Sequence, residues 1–350
     1  MIKVLITGPI LPPAGGISIH ILRLKNLLKN DFEFDFIDES TQIKNEYFNI
    51  RSLKVLSYLK KAITTDIFYI HSGNNFFKNT HIILAKILRK KIIITIHGYR
   101  NRKNWFLRNL DKYIYELSDK IILVNNEIIE RIPLKESSKC IIKNAFLPPL
   151  MENEILNSPV IIEWIKSVKL NEKILLTANA SRLDLHNNED LYGLDMCIEV
   201  IRRLVNKGYN ISLIYIVTSL DRGVERFNQY FDTIKTYNLQ DDILLINENV
   251  SFVRVIEQSD IVLRPTNIDG DAITIREAIY LNKPILASDA VLRPEGTSTF
   301  KNRDFDDFEL QLEYQIKNSI EKKTLKNEEQ NHNINDFKEF YVNLINSISS

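Results

Sequence analysis

The stretch Asp260–Asp289, DIVLRPTNIDGDAITIREAIYLNKPILASD, carries two carboxylates, Asp269 and Glu277, eight positions apart. It reads as strand, loop, helix, turn and strand. Gly270-Asp271 suits the loop, Asn282 tolerates a left-handed cap, and Pro284 cannot continue the helix. Ile275, Ala278 and Ile279 form one apolar face, and Ile273 and Leu281 flank Glu277 on the other. A carboxylate on so apolar a helix is costly unless its oxygens are hydrogen-bonded. A polyol such as a ribose would satisfy both oxygens, and the amides of Ala272, Ile273 and Thr274 at the helix start suit a phosphate. Asp269, just before that turn, is placed to face a second hydroxylated group. An ion pair of Glu277 with Arg264 or Arg293 accounts for its burial equally well.

Other candidates sit just after short apolar runs. Gly8-Pro9-Ile10-Leu11-Pro12-Pro13-Ala14-Gly15-Gly16 lacks both the Gly-Lys-Ser/Thr of a P-loop and the spacing of a dinucleotide fingerprint. Its Gly15-Gly16 pair allows close backbone approach at a helix start, as a diphosphate or sugar requires, and a tight turn would use the same pair. His97-Gly98 follows Ile92–Ile96; a strand-end histidine is commonly a hydrogen-bonded structural residue, and the same holds for His71. No Asp-x-Asp follows a strand and no paired-histidine motif occurs, so no metal is expected. Two cysteines, Cys140 and Cys197, supply neither a disulfide framework nor a zinc site, which fits a reducing cytoplasm.

The elements that must position these residues alternate. Strands are expected at Lys3–Thr7, Phe32–Ile37, Ile67–His71, Lys91–Ile96, Lys120–Val124 and Cys140–Lys143, with helices near Ile17–Leu28, Leu53–Ile63, Thr80–Leu88 and Trp105–Leu117. After Pro148-Pro149 and an acidic connector, strands recur at Ile174–Ala178, Ile211–Val217, Ile243–Ile246, Ile261–Arg264 and Ile285–Ala287. One intervening helix, Leu194 to Asn206, should stop at a left-handed Gly208. The fold class is therefore α/β: two Rossmann-like domains of parallel sheet facing a cleft, with ligands beyond the carboxyl ends of the strands. A last helix, about Asn335–Ile348, carries a continuous stripe of Phe337, Phe340, Tyr341, Leu344, Ile345 and Ile348 that needs a partner.

The chain has 350 residues, with 46 Lys+Arg against 45 Asp+Glu. That balance disfavours a nucleic-acid binder. It conceals a split: residues 1–150 hold 24 basic and 13 acidic side chains, and the remainder is correspondingly acidic. No uncharged apolar stretch approaches the roughly 18 residues of a membrane span.

The Asp260–Gly296 region resembles the retaining GT-B glycosyltransferases of family 4. In their signature two acidic residues separated by seven others lead into the run E-A-x-x-x-x-x-P-(I/V)-(I/L/V)-A-S. Here it reads Glu277-Ala278-Ile279-Tyr280-Leu281-Asn282-Lys283-Pro284-Ile285-Leu286-Ala287-Ser288. Arg293-Pro294-Glu295-Gly296 is similar to a motif of bacterial polysaccharide enzymes of capsule and lipopolysaccharide type. The resemblance implies an acceptor-side domain at 1–154, a nucleotide-sugar domain at 155–325, and a helix within 326–350 that crosses back to the first domain. It implies that Glu277 holds the ribose, that Asp269 and the amides of Gly270, Asp271, Ala272 and Ile273 contact the donor sugar, and that Thr274 lies near the diphosphate. Gly15-Gly16 matches the family's first glycine loop, His97 its position beside the sugar, and Asn144 the Asn of a Pro-Asn-Gly turn. Arg182 matches a diphosphate-neutralising arginine. Tyr192 stands where the family has lysine, so neutralisation falls to Arg182, helix amides or a further cation.

What the resemblance implies of function is metal-independent transfer of a hexose, with retention, from a nucleotide-diphosphate sugar to a hydroxyl of a glycan or lipid-linked glycan in surface polysaccharide biosynthesis. No cofactor beyond the donor is implied. Asp269, His97 and Arg182 form the catalytic set. Arg100, Arg102, Lys103 and Arg108, interleaved with Trp105 and Phe106, suit an anionic lipid-linked acceptor or the inner face of the cell membrane, and a packed surface helix explains them as well. The location expected is cytoplasmic, with or without that peripheral attachment. Two alternatives are a sugar-nucleotide epimerase of the same fold and a catalytically weak nucleotide-binding partner subunit.

Overall fold

The computed structural model describes residues 1–12, 15–98, 104–125, 128, 132, 134, 137–221, 223–269, 272–322 and 334–349. They form two compact units, one holding Met1–Leu147 and the last helix, the other beginning at Pro148.

In the first unit the isoleucine-rich runs become β1 (Lys3–Gly8), β2 (Glu33–Asp38), β3 (Phe48–Asn49), β4 (Ile67–Ile70), β5 (Lys91–Ile96), β6 (Lys120–Leu123) and β7 (Cys140–Ile142). All pair in parallel, in the order β3-β2-β1-β4-β5-β6-β7. Central strands are buried along nearly their whole length, since helices cover both faces. Those helices are α1 (Gly16–Leu28), α2 (Val55–Thr64), α3 (Asn75–Ile87) and α4 (Trp105–Tyr115). The chain reverses its winding between β1 and β4, so α1 and the turn after β4 meet there.

The second unit repeats the plan with β8 (Ile174–Ala180), β11 (Ile211–Val217), β12 (Ile243–Asn247), β13 (Ile261–Arg264), β14 (Ile285–Ser288) and β15 (Ser298–Phe300), a parallel sheet ordered β12-β11-β8-β13-β14-β15. A two-residue hairpin pairs β9 (Leu185–His186) with β10 (Glu189–Asp190). The helices are α5 (Pro159–Leu170), α6 (Leu194–Asn206), α7 (Val224–Thr236), α8 (Phe252–Gln258), α9 (Ile273–Tyr280) and α10 (Phe305–Lys322). Gly208 and Asn282 take left-handed conformations, φ +89° and +53°, as the caps of α6 and α9 require.

The acidic connector belongs to the second unit: Arg254 donates to the carbonyls of Glu154, at 2.7 Å, and Met151, and Ser251 Oγ donates to Glu154 at 2.5 Å. It leads directly into α5, which Ser158 caps by accepting from Ile161 N at 3.3 Å. The last helix, α11 (Ile334–Ser349), returns to the first unit, where Tyr341, Leu344, Ile345 and Ile348 join Ile21, Leu24 and Leu28 of α1 in one apolar cluster. Among the described residues, no helix is long and apolar enough to cross a membrane.

Candidate functional site

Asn179 near the end of β8 and Arg264 at the end of β13 flank the switch point of the second sheet. Arg264 donates to the Asn179 carbonyl (3.3 Å) and Oδ1 (3.4 Å), and Thr274 Oγ1 in the first turn of α9 donates to the same Oδ1 (3.1 Å). Arg264 also grips Asp269 with two nitrogens, Nε to Oδ2 at 3.0 Å and Nη2 to Oδ1 at 3.2 Å. Arg293 donates to Asp269 Oδ2 (3.1 Å), Thr266 Oγ1 (3.0 Å), Ser288 Oγ (3.1 Å) and the Ser288 carbonyl (2.8 Å). Thus both arginines offered as partners for Glu277 bind Asp269. Burial alone would raise the Asp269 carboxyl, but Arg264 and then Arg293 outweigh it and hold it below the ordinary range. Two guanidiniums thus meet at one buried carboxylate.

Glu277 is 4% exposed, one turn after the buried Thr274. Ala272, at the N-cap of α9, supplies no side-chain acceptor to the amides of the first turn. Gly270 and Asp271 lie outside the described residues. Tyr192 places its ring 5.2 Å from the Arg264 guanidinium carbon and pairs its hydroxyl with Ser181 Oγ at 2.6 Å. A cation therefore lies on the face of the residue that itself carries no charge. Next to it Gly193, at φ +69°, starts α6 so close to β13 that an added Cβ would fall 2.2 Å from the Pro265 carbonyl oxygen. Asp190 holds that turn, accepting from Tyr192 N (2.8 Å), Gly193 N (3.1 Å) and the Tyr230 hydroxyl (2.8 Å). Arg182 is half exposed and faces Asp184 at 3.3 Å.

In the first unit, Gly15 is the N-cap of α1, its N–H donating to Ser18 Oγ at 2.9 Å, and Gly16 is the first helical residue. Among the described residues, a Cβ at Gly15 would meet only that oxygen, at 3.9 Å. His97 Nε2 lies 3.2 Å from Nδ1 of His71, and His20, on the apolar face of α1, stands beside both with ring centroids 5.0 Å from His71 and 5.1 Å from His97. His20 Nδ1 is 2.7 Å from the Ala145 carbonyl, which ties α1 to the turn whose Asn144 accepts from Phe146 N at 3.2 Å. Burial takes His20 down to about 4 and holds His71 and His97 well below the usual histidine value, so all three are neutral.

Beside them lies a polar group the sequence reading missed. Glu39, after β2, accepts from Ser72 Oγ and pairs with His81 Nε2 at 3.1 Å, while Tyr58 meets His81 Nδ1 at 2.6 Å. Burial pushes the Lys78 ammonium down to about 8 against the pull of Glu39 and Asp111. Arg100, Arg102 and Lys103 lie outside the described residues. Arg108 is exposed on α4, as are Trp105 and Phe106 at 69% and 64%. His20 had a legible signal, since it interrupts the Ile17, Ile21, Leu24 stripe; Arg264 had another, ending the apolar run Ile261–Leu263.

No protein-family model matches the sequence, and no curated protein is significantly similar to it. Solved structures are similar in fold. A glycosyltransferase from Rickettsia africae superposes with a TM-score of 0.67 at 15% identity, over 99% of this chain and 94% of that one. HepE from Anabaena, in complex with UDP and glucose, gives 0.67 at 11% identity over 99% and 100%. Sucrose-phosphate synthase from Thermosynechococcus elongatus gives 0.62 at 13% identity over 99% and 100%. The two parallel sheets, each wound about its own switch point, and the similarity over almost the full chain identify the fold as that of the GT-B glycosyltransferases.

Proposed function

We propose that this protein is a nucleotide-sugar-dependent glycosyltransferase that moves a hexose, with retention of configuration, to a hydroxyl of a glycan or lipid-linked glycan in surface polysaccharide biosynthesis. The observation that carries the reading is Glu277: a buried carboxylate on a helix whose first amides have no side-chain cap, in a fold shared with proteins of this activity. Its oxygens hold the ribose hydroxyls, and the amides of Ala272, Ile273 and Thr274 meet the diphosphate. Arg264, held over Tyr192, supplies the positive charge that a lysine at position 192 would bring, and Arg182 adds a second cation. Retention follows if the departing phosphate accepts the acceptor's proton, with Asp269 and His97 positioning the sugar. No organic cofactor and no metal at the diphosphate is required in this scheme. The work is done in the cytoplasm, at the inner face of the cell membrane.

Calorimetric titration with UDP, GDP and their sugars tests the assignment. Glu277→Gln should bind the preferred nucleotide about 10- to 100-fold more weakly, the weight of one or two hydrogen bonds to a charged group. Unchanged affinity would refute the ribose contact. A donor that binds but is neither hydrolysed nor transferred would instead favour the nucleotide-binding subunit, to which the full engagement of Asp269 by Arg264 and Arg293 also lends weight.

A further inference from the structure

We infer that His20, His71 and His97 form a binding site for one divalent transition-metal ion, with Zn2+ the ion that suits the donor set best. The three histidines are scattered through the sequence, and no spacing betrays them. The fold collects them at the switch point of the first sheet: His20 from the helix after β1, His71 from the turn after β4, His97 from the turn after β5. One ring nitrogen of each lies within 4.8 Å of the other two, and among the described residues no other group of three His, Cys, Asp or Glu is so placed.

The chemistry of the individual nitrogens supports a metal more than ordinary packing. His20 Nδ1 faces a carbonyl, Ala145, so it must carry the proton and donate. That fixes the tautomer and leaves a lone pair on Nε2, as an outer carbonyl does for metal-ligating histidines. This Nε2 is buried without a hydrogen-bond partner. A bare imidazole nitrogen in a buried cluster is unusual, because buried polar atoms are nearly always paired. The 3.2 Å between His71 Nδ1 and His97 Nε2 is close to the roughly 3.4 Å edge expected for two nitrogens about 2.0–2.1 Å from a tetrahedral zinc. An all-imidazole set favours Zn2+, Co2+ or Ni2+ over the oxygen-seeking Mg2+ and Ca2+. His97 is only partly buried, which leaves an approach for the ion and a fourth position for water or a ligand atom. This inference concerns the first unit alone and stands whether or not the chain transfers a sugar.

The full-length protein, stripped with chelator, is titrated with Zn2+ by calorimetry and with Co2+ by visible absorption. The expected result is one saturable ion per chain and the intense visible bands of tetrahedral Co2+. His20→Gln and His71→Asn, with folding checked by circular dichroism, should each weaken binding by at least about 100-fold, more than loss of an outer partner costs. X-ray absorption on the Zn2+-loaded wild type gives an answer even if these variants misfold. Scattering from about three imidazoles supports the site. No saturable binding, affinity unchanged in both folded variants, or a Zn2+ shell dominated by oxygen would overturn it.

Discussion

At the scale of single residues, the decisive balance is that of Asp269 against Arg264 and Arg293. Removing the carboxylate leaves two guanidiniums, 10% and 3% exposed, without the anion that both of them bind. Asp269→Asn should therefore cost about 3–5 kcal/mol of stability in the second unit at neutral pH, the usual loss when one member of a buried ion cluster is neutralised. The sign of the pH dependence follows from the depressed carboxyl. The unfolded chain protonates Asp269 near pH 3.8 and the folded chain only below that, so the stabilisation is complete above about pH 4 and is lost as pH falls through the folded value. Urea unfolding followed by Trp164 in a Trp105→Phe background, at pH 7 and pH 3.5, should show a smaller acid loss in Asp269→Asn than in the parent. An equal acid loss in both would mean that the pair with Arg264 and Arg293 does not govern that window. The carboxylates were legible in the sequence because each interrupts apolar or turn chemistry. Their partners were not: Arg264 and Arg293 were equally eligible for Glu277, and only the path of the loop from Thr266 to Asp269 gives them to Asp269.

At the scale of elements, periodicity located nearly every long strand, since runs such as Ile92–Ile96 are buried on both faces and can be little else. Strands β3, β9, β10 and β15 went unread because two or three residues carry no period and are set by pairing with a neighbour. Helix α5 was hidden by its acidic surroundings, although Ser158-Pro159 is the cap and first-turn pair that marks a helix start. Tyr192-Gly193 was legible as a motif but not as geometry. Gly193 must be glycine both for its positive φ and because α6 begins against the Pro265 carbonyl. Gly193→Ala should cost at least about 2 kcal/mol, from the strained conformation and from overlap with a backbone atom that no rotamer can relieve. It should also displace Tyr192 from beneath Arg264. The expected signature is a lower unfolding midpoint together with weakened nucleotide binding; a variant as stable as the parent would show that the close approach is readily relaxed.

At the scale of the whole molecule, the near-zero net charge is the sum of a basic first half and an acidic remainder. The basic half also exposes apolar side chains that its own core leaves uncovered: Trp105 and Phe106 on α4, Phe76 on α3, and Leu53, Val55 and Leu56 at the start of α2, all at least 61% exposed. A surface helix packed through Trp105 and Phe106 is therefore not what this unit contains, since α4 packs instead through Asp111, Ile114 and Tyr115. Positive charge beside exposed rings is the combination that binds an anionic bilayer surface, charge drawing the protein in and rings entering the headgroup region. Vesicles containing anionic lipid should float the protein at low ionic strength and release much of it at about 0.5 M salt, where charges more than a few ångströms apart are screened. Trp105→Ser with Phe106→Ser should lower partitioning by about 10- to 100-fold, because each ring contributes roughly half of the 1.5–3 kcal/mol of a fully buried side chain. The nucleotide binding proposed for the second unit should be unaffected by the same pair of changes. If the protein fails to float at low salt, or floats equally well without its two rings, the basic surplus is only a solvated surface and the proposed membrane attachment is wrong.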